Sequence, residues 1–250
     1  MPDTFNLANI SALLEGLEET IIFKLIDRAQ FRFNPSVYKP GKSRFAGAAR
    51  QSLFSLRLWH QEKMDALFGR FCVPEERPFC KGLPKTRRTV SLPPTGLHIK
   101  NMDAINLTVK IMAAYLKLVP RICRPGKDGH FGSSVEHDVY ALQAIARRIH
   151  YGALYVGECK FRRDPARYTA LIRSKDRRGM LALLTRKEVE DKIIGRIRVK
   201  VAAAQAKADR GVRHVIDVRE MLGFYRDCII PLTKEGEMLY LFNRTLDKPE

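Results

Sequence analysis

The chain predicts an all-α fold, a single helical-bundle domain over residues 1–250 built on long central and C-terminal helices. Three observations carry this. Apolar residues recur in steps of three and four through several separate stretches, and none alternates as a half-buried strand would. Phe131 to Phe161 contains no proline and places Val139, Leu142, Ala146, Ile149, Ala153 and Val156 on one stripe of a long helix. One turn further along that stripe stands Lys160, with Arg147 and Arg148 beside it about three turns earlier. Burying an ammonium without a partner is costly, so cations in phase with a core stripe suit an anionic ligand. The plainer reading is that they lie at the edge of the stripe and reach water.

Taken in order, Ile10, Leu14, Leu17, Ile21 and Leu25 define the first helix, with Leu13 widening its buried face and Asn6 or Thr4 capping it. Asn34-Pro35 ends that region, and residues 38–47 form a loop rich in Lys, Gly and Pro. Residues 51–71 read as helical, with Leu53, Leu56, Trp59 or His60, Met64 and Leu67 in phase. Five prolines between Cys72 and Pro94 mark a long irregular connection. A helix over 102–122 should bury Ile105, Val109, Met112, Leu116 and Val119, and Arg124-Pro-Gly-Lys-Asp-Gly turns the chain into the central helix. Asp164-Pro165 caps and starts a short helix through Ile172, and a second short, basic helix begins at Ser174-Lys-Asp and ends near Leu184. A helix from about Thr185 to Ala208 follows, with Val189, Ile193, Ile197 and Val201 in phase and Gly211 closing it. The last helix runs from Asp217 to Leu246 with a kink at Pro231.

The net charge of +18 is the oddest global feature. Residues 151–200 hold 14 Lys and Arg against 6 acids, while the last fifty residues balance at 8 and 8. Such a face attracts phosphate polymers, acidic membranes or a small anion. No zinc spacing, glycine-rich RNA-binding signature or aromatic–basic interleaving accompanies it, so no specific nucleic-acid or membrane partner is expected. No apolar run approaches the ~20 residues that span a bilayer. Met1 to Asn9 has neither a basic nor an apolar signal region, so a cytoplasmic location is expected, with secretion left open if a signal preceded residue 1. The five cysteines include no C-x-x-C pair, and no metal site is expected. Cys72 and Cys80 would pair in an oxidising compartment; reduced thiols are the expectation in the cytosol.

RRIHYG followed by ECKF and preceded by FGS resembles the eukaryotic, all-helical class of chorismate mutase. NLANIS, LEETIIFKLIDRAQF and NPSVY resemble that family's first helix and its exit; LVPRICRPGKDGHFGS resembles its middle section; YTALIRSKDRRGM, VEDKI and IIPLTKEGE resemble its last third. The matches span most of residues 6–246, weakest over 41–93. The resemblance implies a homodimer that isomerises chorismate to prephenate by an intramolecular Claisen rearrangement, feeding phenylalanine and tyrosine synthesis in the cytoplasm. It implies no metal, cofactor or covalent intermediate, since holding the compact conformer and stabilising charge on the ether oxygen suffices.

By position in the motifs, Arg148 resembles the family's carboxylate-binding arginine and Lys160 the lysine that meets the ether oxygen. Glu190 matches the glutamate facing the substrate hydroxyl, and Thr233 and Glu237 match a threonine near a carboxylate and a glutamate near the ether oxygen. Arg147 is a further candidate for substrate binding. Ile230, Thr233, Glu237 and Leu241 share one helical face, so two polar groups interrupt an apolar row. Burial should raise the pKa of Glu237, making it a hydrogen-bond donor; the plainer reading is a solvated glutamate paired with Lys234.

Three departures stand out. Ser11 occupies the place of a carboxylate-binding arginine, and Arg186 that of an asparagine. Arg148 and Lys160 are twelve residues apart where eleven are expected, a mismatch that a π-bulge near Gly152 would absorb. Together they leave a catalytically weak relative, acting by ligand or partner binding, as the alternative. Some relatives respond to aromatic amino acids: Gly132 and Ser133 keep the turn used there and Arg70 keeps one basic residue, while Gly69 and Glu136 depart from the pattern, leaving tryptophan or tyrosine control open.

Overall fold

The computed structural model describes residues 5–246. Helix α1 (Leu7–Ala29) is started by Asn6, whose side chain accepts the Ala8 N–H at 2.9 Å; Thr4, the other candidate cap, lies outside the described residues. The stripe Ile10, Leu14, Leu17, Ile21 and Leu25 is buried. Leu13 is not: it is 40% exposed, and the buried arc widens instead through Glu18, Ile22 and Ile26, on the side facing the later helices.

Helix α2 (Leu53–Leu67) is capped by Ser52 and stops short of the expected Phe71, where Gly69 takes a left-handed conformation at φ 83°. Its inward face also differs from the expectation. Trp59, His60 and Met64 are exposed, whereas Phe54, Leu58, Gln61 and Glu62 are buried. The Glu62 carboxylate accepts the backbone N–H groups of Phe79 and Cys80, so a polar group on that face pins the long irregular connection. Helix α3 (Thr108–Ile122) begins six residues later than expected, after a short 3-10 turn over Met102–Ile105. Val109 (82% exposed) and Leu116 point outward, while Ile111, Tyr115, Leu118 and Ile122 are buried on the side packed against the neighbouring helices.

Helix α4 (Phe131–Tyr151) continues without interruption through a π-helical segment (Gly152–Val156) into α5 (Gly157–Arg163). Val139, Leu142, Ala146, Ile149 and Ala153 are buried as expected. Asp164 caps α6 (Pro165–Ser174), and Asp176, rather than Ser174, caps α7 (Arg177–Leu184). Helix α8 (Lys187–Gln205) buries Ile197 and Val201 but leaves Val189 half exposed; it ends at Ala206, ahead of Gly211. The C-terminal rod is α9 (Val218–Phe224), a second π segment (Tyr225–Ile229) and α10 (Ile230–Asn243), with Pro231 in the first turn of α10.

One apolar core gathers α1–α4, α8 and α9; a second lies between α5, α6, α7 and α10. The π segment of the central rod packs closely against α10: a Cβ on Gly236 would stand 2.5 Å from that of Ala153. Within the first core Arg28 is wholly buried and held by Asp138 at 2.5 Å. Among the described residues there is no strand and no helix long and apolar enough to cross a membrane.

Candidate active site

A cleft of about 340 Å³ opens between α1, the central rod, α8 and α10. It gathers Ser11, Arg148, Lys160, Arg186, Glu190, Thr233 and Glu237, seven of the eight residues expected to be catalytic or substrate-binding. Arg147 is the exception. Adjacent helical residues point about 100° apart, so only one member of the Arg147–Arg148 pair can face the cleft. Arg147 turns to the surface and lies 3.4 Å from Glu76.

Arg148 and Lys160 meet in the cleft despite their twelve-residue spacing because of the π segment between them. An i→i+5 turn takes up one extra residue and restores the phase an eleven-residue α-helical interval would have had. Its first residue must be small: a Cβ on Gly152 would lie 2.8 Å from the Thr233 methyl and 3.2 Å from the Arg148 guanidinium.

The deep wall is cationic with one buried acid. The Lys160 ammonium donates to Glu237 Oε2 at 2.6 Å and to the Leu184 carbonyl at 3.4 Å. Glu237 is 4% exposed, so it is not the solvated partner of Lys234; Lys234 instead reaches Glu190 at 2.8 Å. Burial pushes the Glu237 pKa up, against the pull of Lys160, Arg148 and Lys234. The Thr233 hydroxyl donates to the Ile229 carbonyl at 2.7 Å and accepts weakly from Arg148 at 3.5 Å. Arg148 is also 4% exposed, and burial lowers its pKa while the nearby Glu18 carboxylate, 3.7 Å away, raises it. Its Nε–H is buried and makes no hydrogen bond among the described residues.

Several groups that line or back the cleft had escaped the sequence reading. Glu18 is fully buried, takes Arg196 Nε and Nη2 at 2.8 Å and approaches Lys200, so it fixes the side of the cleft behind Arg148. It sits four residues after Leu14, in phase with the α1 stripe, which is the same signal that marked Lys160. Lys192, Arg196 and Lys234 complete the cationic lining. His150 of RRIHYG is structural: its Nε2 accepts the Leu107 N–H, its Nδ1 donates to the Ala146 carbonyl, and burial pushes its pKa down to about 4.

The expected effector residues do not converge within one chain. Gly132 and Ser133 border a wide surface cleft with Arg57, His60 and Glu136. Arg70 borders a different recess and is engaged by Asp65, Glu76 and Gln143. Cys72 is exposed, Cys80 is half-buried, and the two are not bonded to each other. No set of side chains that would hold a metal ion occurs among the described residues.

A buried guanidinium with an unsatisfied donor, an ammonium and a carboxyl inclined to stay protonated form a wall suited to a small oxygen-rich anion. No protein-family model matches the chain. It is 35% identical to chorismate mutase 1, chloroplastic, of Petunia hybrida over 97% of its own length and 76% of that protein's. Chorismate mutase of Trichoderma parareesei is 34% identical over 96% of this chain and 94% of that one. Among solved structures, chorismate mutase of Candida albicans in complex with L-Trp superimposes with a TM-score of 0.88 at 33% identity, covering 96% of this chain and 92% of the other. The chain belongs to the eukaryotic, all-helical chorismate mutases.

Proposed function

We propose that the cleft between α1, the central rod, α8 and α10 binds chorismate and isomerises it to prephenate. The rearrangement is internal to the substrate: one carbon–oxygen bond breaks as one carbon–carbon bond forms, so the protein supplies orientation and charge stabilisation alone. Arg148 takes one carboxylate through its unsatisfied Nε–H and a terminal amine, with Thr233 beside it. Lys160 and protonated Glu237 donate to the ether oxygen as negative charge grows there. Glu190 faces the substrate hydroxyl, held in place by Lys234.

The second carboxylate needs a cation that is not already spent. Lys160 is assigned to the ether oxygen, and Lys234 and Arg196 are paired with Glu190 and Glu18. Arg186 and Lys192 line the mouth and make no ion pair among the described residues. Arg186, on the residue preceding α8, is our choice for the role that Ser11 cannot fill, because its planar fork matches a carboxylate.

The observation that carries this reading is the orphaned Nε–H of Arg148. A buried donor without a partner is costly, and a ligand carboxylate removes that cost. The test is the loss of chorismate absorbance with purified protein. Saturable turnover is expected, with Arg148→Met reducing it by at least a hundredfold; wild-type protein that gives no acceleration over the spontaneous reaction would overturn the assignment.

We also read the molecule as a cytoplasmic homodimer serving phenylalanine and tyrosine synthesis. Two features support this: the separation of Gly132 and Ser133 from Arg70, which a shared effector site would bridge only with a second chain, and the unbonded Cys72 and Cys80. Arg70 is already held by two carboxylates and Gln143, so a tryptophan or tyrosine carboxylate would have to displace one of them. Sedimentation across a concentration series and turnover with each amino acid test the two points.

A further inference from the structure

Part of the cationic excess lies on α5, α6 and α7 and the residues that join them, which together hold eight Lys and Arg against three acids, and the mutase reaction does not use most of it. Arg163, Arg167, Arg173, Lys175, Arg177 and Arg178 are all exposed, and none forms an ion pair among the described residues. The two acids between Arg163 and Arg178, Asp164 and Asp176, each cap a helix, accepting the N–H of Arg167 and of Gly179. Residues 163–178 therefore keep a net charge of +4, six cations against two acids. Lys175 holds the left-handed C-cap position of α6 at φ 54°.

We propose that this α6–α7 hairpin, with the end of α5, docks on the phosphate backbone of duplex nucleic acid without reading its sequence. Five of the six cations are arginines, whose planar fork engages a phosphate through two N–H groups. On α6, Arg167 and Arg173 flank the buried Tyr168 and Ile172 on either side, so the outward surface is cationic across its width. An anionic bilayer fits less well. The apolar sides of both helices are spent on the core, and Leu181 is the one large apolar residue they expose among the described residues. Single strands also fit less well, because the hairpin exposes no aromatic ring on which bases could stack. None of the six residues borders the substrate cleft, so this surface is separate from the mutase site.

Fluorescence anisotropy of the full chain with a labelled duplex of arbitrary sequence, from about 50 to about 200 mM salt, tests the proposal. Each phosphate neutralised contributes a slope of roughly −0.9 in log K against log salt, so a slope steeper than about −3 is expected. Arg167→Ser/Arg173→Ser/Arg178→Ser should make that slope shallower by between two and three while leaving chorismate turnover unchanged, which also reports that the variant is folded. The proposal fails if no duplex binding appears at the lowest salt, if the triple variant keeps the wild-type slope, or if binding occurs only to phosphatidylserine vesicles.

Discussion

Two buried arginines in this molecule differ in one respect, and the difference separates structure from function. Arg28 lies in the first core with every donor group engaged: Asp138 at 2.5 Å, Cys123 Sγ at 3.3 Å, the Tyr38 hydroxyl at 3.0 Å and the Phe31, Arg32 and Phe33 carbonyls. Burial alone would lower its pKa, but Asp138 together with Tyr38, Cys123 and Tyr115 more than offsets this and holds it above the ordinary value. Arg148 is as deeply placed, yet it has only a distant carboxylate, one long contact to Thr233 and an Nε–H with no partner. A saturated buried ion locks helices together; an unsaturated one keeps capacity in reserve for a ligand.

The comparison breaks most readily at Arg28. Arg28→Met strands Asp138 without its counter-ion and should cost about 3–5 kcal/mol of stability. Arg148→Met should leave the urea midpoint near wild type while activity collapses. Equal loss of stability in the two variants would erase the distinction. Next in size is Lys160→Ala: removing an oriented donor to the ether oxygen should lower kcat by about 10²–10³, roughly 3 kcal/mol, with unchanged helicity by circular dichroism. An active Lys160→Ala enzyme would place the ether oxygen elsewhere.

The Glu237 carboxyl sharpens the contrast through pH. Its folded pKa is raised, so the folded state binds its proton more tightly than the unfolded chain does, and both the hydrogen-bond donor and the associated stability are present at low pH. Both should fade as pH rises from the ordinary carboxylate value through the elevated one. Glu237→Gln, which keeps a donor at every pH, should flatten the kcat profile over that interval; an unaltered profile would make Glu237 a purely structural group.

The smallest expected effects belong to the rim. Arg186→Asn should depress kcat/KM about tenfold, as a charge-assisted contact to a carboxylate is worth ~1.5–3 kcal/mol, and Ser11→Arg added to it should restore much of the loss. If Ser11→Arg alone raises activity in the native background, the chain is a weakened relative instead. Indifference of both backgrounds would mean that neither side chain reaches the ligand.

Much of the site was legible before any coordinates, for a physical reason that applies only to some residues. Lys160, Thr233 and Glu237 interrupt apolar rows, and a polar group in phase with a buried stripe has few benign explanations. The twelve-residue spacing likewise predicted a π segment at Gly152, because helix phase is arithmetic along one element. Glu18 carried the same mark and was overlooked. Residues such as Arg147, Leu13 and Val109 were misplaced because each lies at the boundary of a stripe, where the inward direction depends on the neighbouring helix.

By itself, then, the sequence determined what is local: helices with their side-chain caps at Asn6 and Asp164, a central rod too long by one residue for an α-helix, and a family resemblance running from end to end. Tertiary packing decided which of two adjacent arginines faces the cleft, that Lys234 neutralises Glu190 and leaves Glu237 to Lys160, and that Arg28 is saturated while Arg148 is not. These are pairings between groups far apart in the chain. Their energies depend on separation and on exclusion of water, and both are set only when α1, the central rod, α8 and α10 close around one another.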